Sequence, residues 1–246
     1  MKKPLKAGIF DLDGVITQTA TVHARAWKTM FDAYNERREM DGLPTFQPFS
    51  IKMDYPVYID GVPRYQGVTA FLESRDIDIP YGDPSDEPGK DTVCGLGNWK
   101  NLMFIDALDD VGVEVYEKNV NVIRELKDKG LKIAVISSSK NCKEVLVRAG
   151  LHHLFEVRID GVVSAERGLK GKPEPDIFLE AARELGAEPE ETLIVEDALA
   201  GVEAGKKGGF QLVIGIGGEE QRKALLEHGA DLVVPNLQEA HLLVEG

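Results

Sequence analysis

The second half of the chain alternates short apolar runs with amphipathic helical patterns, and this alternation restricts the fold more than any other feature. The runs of strand length cover residues 132–136, 192–195, 212–216 and 231–234, and the helical patterns cover 119–129, 142–149, 175–185, 199–207 and 219–228. Strands that alternate with helices through short connections predict an α/β fold, a doubly wound parallel sheet with helices on both faces. Ligands of such a sheet bind at the carboxyl ends of its strands.

The region between the first strand and the rest of this pattern has a different character. Residues 6–11 form a strand-like run, but the next one starts only near residue 131. Between them lie helical patterns at 19–38, 67–75 and 96–108, separated by loops rich in Pro, Gly and Asp. We therefore predict a sheet domain made of residues 1–17 and 112–246, with a mostly helical domain, residues 18–111, inserted after the first strand. The acidic stretch 76–91 is predicted to be a solvated loop rather than a metal site.

The charge and cysteine content exclude several classes of protein. The 246 residues carry a net charge of -13 and no basic stripe, which argues against a nucleic-acid partner but not against a small phosphorylated ligand. Cys94 and Cys142 lie far apart without CxxC spacing, so neither a disulfide framework nor a zinc site is expected. No apolar stretch has the length of a membrane span or a signal peptide. We expect a cytoplasmic protein without a membrane partner, a monomer or weak dimer.

Two carboxylates stand where the first strand ends, in the segment Asp11-Leu12-Asp13-Gly14. Such a pair contributes little to a core but can hold a hard cation and take part in phosphoryl transfer, in which one carboxylate attacks phosphorus and the other handles a proton. A turn or capping role is the alternative, because Asp-x-Asp-Gly also begins calcium-binding loops. The rest of an EF-hand loop is absent, since Val22 stands where that loop needs an acidic residue.

A serine-rich segment follows the strand predicted at 132–136. Residues 137–141 read Ser-Ser-Ser-Lys-Asn and precede a helical pattern. Hydroxyl groups, backbone N–H groups and a helix N-terminus together can hold a phosphate. Ser139 or Asn141 is also a candidate for the N-cap of the following helix. The two interpretations are compatible.

Two more segments carry charged residues in restricted surroundings. Lys172 is flanked by Gly171 and Pro173, which fix the backbone, and a fixed ammonium suits the charge of a transferring phosphoryl group. Glu196 and Asp197 follow the strand predicted at 192–195 and suit Mg²⁺, although acidic residues at a helix start are also ordinary caps.

Together and in this order, the four segments resemble those of the haloacid dehalogenase-like phosphotransferase superfamily, over essentially the whole sheet domain. The insertion resembles the cap domain of that superfamily. The segments 11–17 (Asp-Leu-Asp-Gly-Val-Ile-Thr), 25–28 (Arg-Ala-Trp-Lys) and 172–178 (Lys-Pro-Glu-Pro-Asp-Ile-Phe) are similar to the β-phosphoglucomutase branch.

This resemblance implies a role for each core residue. It implies that Asp11 is a nucleophile that forms an aspartyl phosphate and that Asp13 is the general acid/base. It implies Mg²⁺ as cofactor and a small phosphorylated sugar as substrate. The implied metal ligands are Asp11, Asp13 through its backbone carbonyl, Glu196 and Asp197; Ser137 and Lys172 would hold the transferring phosphate, and Ser138, Ser139 and Asn141 would help bind the substrate.

Substrate-binding residues are also implied in the insertion. His23 would lie near the acid/base, although on the residues alone it is an ordinary helix-face residue and Trp27 is favoured as core. Arg64, in the loop Gly-Val-Pro-Arg at 61–64, is a candidate for the second phosphate, and Lys100 resembles another substrate-facing element. Asp60 departs from the branch, whose mutases carry a lysine there, and this weighs against a mutase more than against a phosphatase.

The predicted activity is Mg²⁺-dependent phosphoryl transfer on a small sugar phosphate. The enzyme is a mutase if the acceptor is a sugar-phosphate hydroxyl and a phosphatase if the acceptor is water. A catalytically silent binding module is a distant alternative, because it would be expected to lack Asp11, Asp13 or Lys172. Dehalogenation is disfavoured, because carbon–halogen cleavage needs no acid at Asp13.

Overall fold

The computed structural model describes residues 3–240 and divides the chain into two compact units. The first unit contains the amino-terminal segment up to Gln18 and resumes at Val113, and the second is Thr19–Gly112. The helices are α1 (Thr19–Met40), α2 (Arg64–Glu73), α3 (Val93–Val111), α4 (Glu117–Asp128), α5 (Cys142–Arg148), α6 (Gly161–Arg167), α7 (Asp176–Leu185), α8 (Leu199–Lys207) and α9 (Glu219–Glu227). Within residues 3–240, no helix combines the length and the apolar composition needed to cross a bilayer.

A six-stranded parallel sheet forms the first unit, which confirms the predicted fold class. Its strands are β1 (Ala7–Asp11), β2 (Lys132–Ile136), β3 (Val157–Ile159), β4 (Thr192–Glu196), β5 (Leu212–Ile216) and β6 (Leu232–Val234). The spatial order is β3-β2-β1-β4-β5-β6. The chain builds outward from β1 on one side and then crosses to β4 on the other. This reversal places the carboxyl ends of the central strands at a topological switch point, where α/β sheets bind ligands.

The core of the sheet follows from strands that are apolar on both faces. Every residue of β1 is buried, as is typical of a parallel strand covered on both sides. Ile9 and Ala134 pack in one cluster with Phe178 and Leu185 of α7. Because side chains alternate along a strand, Phe10 points to the opposite face and is also fully buried.

The strand β3 and the helix α6 were not predicted. A strand of three residues, Val-Arg-Ile, is too short to show a periodic pattern, and its central Arg158 is only half-buried. Asp160 starts α6 by accepting hydrogen bonds from the N–H groups of Val162 and Val163. An acidic residue directly before Gly-Val-Val was the available signal for this helix start.

The second unit is built on an aromatic core. The helix α1 packs on α3, and α2 packs on α3 and on a five-residue π-helix, Tyr55–Ile59, that was not predicted. Phe31 and Phe71 meet with ring centroids 4.1 Å apart, and Trp27 is buried in the same cluster. The side-chain amide of Asn35 pairs with the backbone of Phe46, which holds the long connection after α1 along that helix.

The acidic stretch of the second unit forms a turn with its own hydrogen bonds. The Asp86 carboxylate accepts from the Thr92 hydroxyl at 2.8 Å, from the N–H of Asp83 at 3.0 Å and from the Lys90 ammonium. The Lys90 ammonium and the Thr92 hydroxyl are the main groups that lower the pKa of Asp86 to about 2. Asp86 therefore organises the chain before α3.

The aromatic core predicts a large penalty for truncating Phe71. We expect Phe71→Ala to lower the free energy of unfolding by about 3–5 kcal/mol, because a fully buried ring is replaced by a cavity. Met53→Ala, at a residue 68% exposed, should change it by less than about 0.5 kcal/mol. Denaturant unfolding followed by fluorescence and circular dichroism measures both, and equal losses would contradict this account of the core.

The low pKa of Asp86 predicts a pH dependence of stability. Since its pKa in the folded state, about 2, lies below the unfolded value of about 3.9, ionised Asp86 stabilises the fold above about pH 4. This contribution is lost as the pH falls towards 2. Asp86→Asn should therefore lower the melting temperature at pH 7, and its difference from wild type should shrink between about pH 4 and pH 2. A difference that stays constant over this range would refute the assignment.

Candidate active site

The carboxyl ends of the central strands bring the predicted core residues together. Asp11 ends β1 and is in register with Ile136, the last residue of β2. Ser137 therefore lies on one side of Asp11, and Glu196, which ends β4, lies on the other. Asp197 follows Glu196 directly, so four acidic or hydroxyl side chains from three distant parts of the sequence converge on one edge of the sheet.

Lys172 enters this cluster from the loop before α7. Its Nζ lies 2.6 Å from Asp11 Oδ1 and also donates a hydrogen bond to Glu196. The residue is only 2% exposed, and its Nζ lies 5.6 Å from the ring centroid of Phe178. Lys172 is therefore part of a buried ion cluster and not a surface lysine.

The charges of this cluster are not balanced by its own side chains. Burial and the Glu196 carboxylate raise the pKa of Asp11 well above its ordinary value, and the Lys172 ammonium opposes them. Burial disfavours the charged form of Lys172, but the Asp11 and Glu196 carboxylates outweigh it and raise the pKa of Lys172. Two carboxylates and one ammonium in a region of low dielectric form an arrangement that a further cation would stabilise.

Three carboxylates could hold that cation. Asp11, Glu196 and Asp197 each offer an oxygen within 4.8 Å of the others, and no further group of this kind occurs among residues 3–240. Oxygen atoms of carboxylates are the ligands that hard divalent cations prefer. One oxygen of Glu196 also accepts the N–H groups of Asp197 and Ala198, both at 3.1 Å, so the carboxylate is fixed in place. The donor set therefore fits a hard divalent cation.

The turn after β1 places Asp13 beside the serine segment. Ser137 Oγ donates a hydrogen bond to Asp13 Oδ2 at 3.1 Å and accepts one from the N–H of Ser139 at 3.0 Å. Asp13 and Ser137 therefore share one hydrogen-bonded chain, and the hydroxyl of Ser137 could turn towards another acceptor.

Glycine is required at position 14 for two reasons. Its φ of 92° lies in the left-handed region that side chains disfavour. A side chain at Gly14 would also collide with the carboxylate of Asp197. The backbone after Asp13 therefore lies directly against one of the candidate metal ligands.

Residues 137–141 form a compact turn. Ser139 Oγ accepts a hydrogen bond from the N–H of Asn141 at 3.1 Å, whereas the Asn141 side chain makes no capping hydrogen bond at α5. Of the two predicted caps, Ser139 therefore organises the turn and Asn141 does not cap. The Ser139 carbonyl accepts from the N–H of Gly161 at 3.1 Å, and Ser138 is half-buried in the same turn.

Within the second unit, His23, Trp27 and Lys100 form one cluster. Lys100 is 3% exposed, and its Nζ lies 2.6 Å from His23 Nδ1 and 5.1 Å from the ring centroid of Trp27. Because an ammonium has no acceptor, Nδ1 accepts this hydrogen bond. The imidazole stacks on Phe104 at 3.8 Å. The sequence did not predict that Phe104 belongs to this cluster, because an apolar residue one turn after Lys100 is typical of an ordinary core position.

Arg64 is the first residue of α2. Its Nη2 donates to Asn101 Oδ1 at 2.7 Å, and no acidic side chain within residues 19–112 forms an ion pair with it. Burial lowers the pKa of the guanidinium. Asp60 ends the π-helix, and its N–H donates to the carbonyl of Tyr55. Arg64 is thus a cation held by two neutral side chains, the Asn101 amide and the Tyr65 hydroxyl, which leaves its charge to attract an anion.

The chain is similar to known proteins over nearly its full length. A β-phosphoglucomutase of Mycobacterium bovis is 45% identical over 243 residues, which are 97% of this chain and 92% of the relative. A phosphorylated carbohydrates phosphatase of Thermotoga maritima is 30% identical over 94% of each chain. The crystal structure of a β-phosphoglucomutase from Clostridium difficile matches the fold with a TM-score of 0.75 at 24% identity, over 98% of this chain and 97% of that one.

A family model also covers most of the sheet unit and the whole second unit. The model described as a haloacid dehalogenase-like hydrolase matches residues 5–209, which include all of the predicted site residues. The chain therefore belongs to the haloacid dehalogenase-like hydrolases, an enzyme family, and within them to the family of the β-phosphoglucomutases.

Proposed function

We propose that this protein transfers a phosphoryl group on a small phosphorylated sugar, in the manner of a β-phosphoglucomutase, through an aspartyl phosphate on Asp11. The observation that carries the proposal is the buried contact of Lys172 with Asp11 at the carboxyl end of β1. A carboxylate held by an ammonium at a switch point is oriented for attack on an anionic phosphoryl group. The relative that is 45% identical supports the same chemistry.

Asp11 and Asp13 divide the reaction between them. An oxygen of Asp11 attacks phosphorus, the phosphorus–oxygen bond to the sugar breaks, and Asp13 gives a proton to the departing oxygen. Asp13 then takes a proton from the acceptor hydroxyl, which attacks the aspartyl phosphate and restores Asp11. The ammonium of Lys172 offsets the charge of the transferring group, and the hydroxyl of Ser137 turns from Asp13 to a phosphate oxygen.

We propose Mg²⁺ as the cofactor. Asp11, Glu196 and Asp197 would hold it with their side chains, and the backbone carbonyl of Asp13 would complete the set. When bound, Mg²⁺ supplies Lewis-acid stabilisation of the charge on the phosphoryl oxygens. The support is the oxygen-only donor set and its unbalanced negative charge.

We propose that residues 18–111 are the cap domain of the family and that Arg64 binds the second, non-transferring phosphate. A guanidinium that is bonded to an amide and a tyrosine hydroxyl, both neutral, keeps its charge for an anion. His23, Trp27 and Lys100 would contact the sugar, and the turn of Ser138, Ser139 and Asn141 the transferring phosphate.

A sugar-phosphate phosphatase is the second candidate. Water would then replace the sugar hydroxyl as the acceptor, and the first half of the reaction would be unchanged. The phosphatase relative of Thermotoga maritima favours it, as does Asp60, whose carboxylate would repel a phosphate near the loop of Arg64.

A cytoplasmic location, with the protein as a monomer or weak dimer, is proposed for either activity, and two buried cysteine thiols agree with a reducing compartment.

One assay distinguishes the two activities. With Mg²⁺, β-glucose 1-phosphate and a trace of the 1,6-bisphosphate, we expect glucose 6-phosphate to accumulate well ahead of free phosphate. Asp11→Asn should abolish this turnover, with a loss on the order of 10⁴-fold or more, because an amide cannot act as the nucleophile. Phosphate release alone would replace the mutase by the phosphatase. Turnover that survives Asp11→Asn would refute the aspartyl phosphate.

Arg64 gives a prediction for the second phosphate. Arg64→Ala should lower kcat/KM about 10- to 100-fold, because a charged hydrogen bond to phosphate is worth about 1.5–3 kcal/mol. Arg64→Lys should recover part of this loss, and Arg124→Ala, at an exposed residue on α4, should have no effect. Steady-state kinetics with β-glucose 1-phosphate measures all three variants. An Arg64→Ala enzyme with unchanged kcat/KM would rule out this role.

A further inference from the structure

A buried amide outside the predicted site is bonded to the turn that carries Asp13. Asn119, in the first turn of α4, is only 1% exposed. Its Nδ2 donates to the carbonyl of Val15 at 2.7 Å, and its Oδ1 accepts from the N–H of Leu237 at 2.8 Å. Asn119 therefore bridges the turn after β1 and the 3-10 helix Leu237–Glu239 near the carboxyl end of the described chain.

Backbone hydrogen bonds within the turn set its shape. Contacts with other segments of the sheet unit set its position. The N–H groups of Ile16 and Thr17 both donate to the Leu12 carbonyl at 2.9 Å, and the N–H of Gly14 donates to the Thr17 carbonyl at 2.8 Å. The Val15 carbonyl instead points out of the turn to Asn119. Moving this turn would move Asp13 relative to Ser137 and Gly14 relative to Asp197, whereas Asp11 is held by the sheet itself.

The backbone supplies a second contact between the turn and α4. The N–H of Tyr116 donates to the Ile16 carbonyl at 2.9 Å. A backbone bond of this kind forms with almost any residue at position 116, whereas the bond to Val15 depends on the side chain at position 119. The identity of the side chain therefore controls the contact of position 119 with Val15, and not the backbone contact of Tyr116 with Ile16.

We propose that Asn119 is a positioning residue for phosphoryl transfer, which holds the turn so that Asp13 faces the reacting oxygen. The inference rests on the proposed function. Displacement of a reacting group by about 1 Å can cost about 100-fold in rate, so the loss of one anchor of this turn is expected to affect kcat. Binding of the sugar depends on other residues, and KM should change little.

Two variants separate the two ends of the bridge. Asn119→Ala removes both hydrogen bonds. Asn119→Asp keeps an acceptor for the N–H of Leu237, but an ionised carboxylate cannot donate to the Val15 carbonyl. If the contact with Val15 is the one that matters, both variants should lose kcat to a similar degree.

Two controls separate positioning from stability. Asn121→Ala alters an exposed amide on the same helix, whose Oδ1 accepts a hydrogen bond from Arg124. Val233→Ala destabilises the sheet at β6, away from the turn, by removing buried methyl groups. Amide hydrogen exchange of Gly14, Ile16 and Thr17 reports on the turn without any substrate, and kinetics with β-glucose 1-phosphate well below the melting temperatures reports on the reaction.

We expect both Asn119 variants to lose at least about tenfold in the protection of these amides and in kcat, with KM within about twofold of wild type. Asn121→Ala should keep both, and Val233→Ala should keep kcat. Unchanged protection of the turn, or an equal loss of kcat in Val233→Ala, would overturn the proposal. If wild type does not turn over the sugar phosphate, the proposed function fails for this substrate, and loss of protection in the Asn119 variants still supports the role of Asn119 in holding the turn.

Discussion

The buried contact of Lys172 with Asp11 and Glu196 is the interaction that most constrains how the sheet unit is arranged. Charges closed off from water are costly, so each must be placed within hydrogen-bonding reach of the others. The parallel sheet provides this by ending β1 and β4 with the two carboxylates at neighbouring positions. Such a cluster adds little net stability compared with apolar residues of the same size. The presence of this ion cluster in an apolar core is therefore better explained by a role in phosphoryl transfer than by a contribution to stability.

Much of this arrangement could be predicted from the sequence, because two rules act together. Apolar runs locate the strands, and parallel strands end on a common edge, so Asp11, Ser137 and Glu196 had to come together. The partner of Lys172 could not be predicted from spacing, since a residue in a loop can point in many directions. Its flanking Gly171 and Pro173 indicated a fixed ammonium suited to a phosphoryl group, and the resemblance to a family implied the same role; the roles of the site residues remain predictions.

Other features could not be predicted from the sequence, because they depend on packing between distant segments. The contact of Lys100 with His23 joins residues 77 positions apart and forms only because α1 packs on α3. The strand β3 has three residues, too few for a periodic signal. Asn119 reads as an ordinary polar position on a helix, and its burial appears only when the turn after β1 and the segment near Leu237 pack around it.

The turn after β1 also shows how an insertion of 94 residues, Thr19–Gly112, is accommodated in the chain shortly after the proposed nucleophile, Asp11. The chain leaves the sheet unit at Gln18 and returns at Val113, and these two points are joined by a hydrogen bond of 2.9 Å from the N–H of Gln18 to the carbonyl of Glu114. Because the two ends of the insertion are adjacent, the insertion can be lengthened, shortened or exchanged without disturbing the strands of the sheet. Under the roles proposed for the two units, substrate preference and phosphoryl chemistry are encoded in stretches of gene that can vary independently, which would give evolution a way to change the sugar while keeping the reaction.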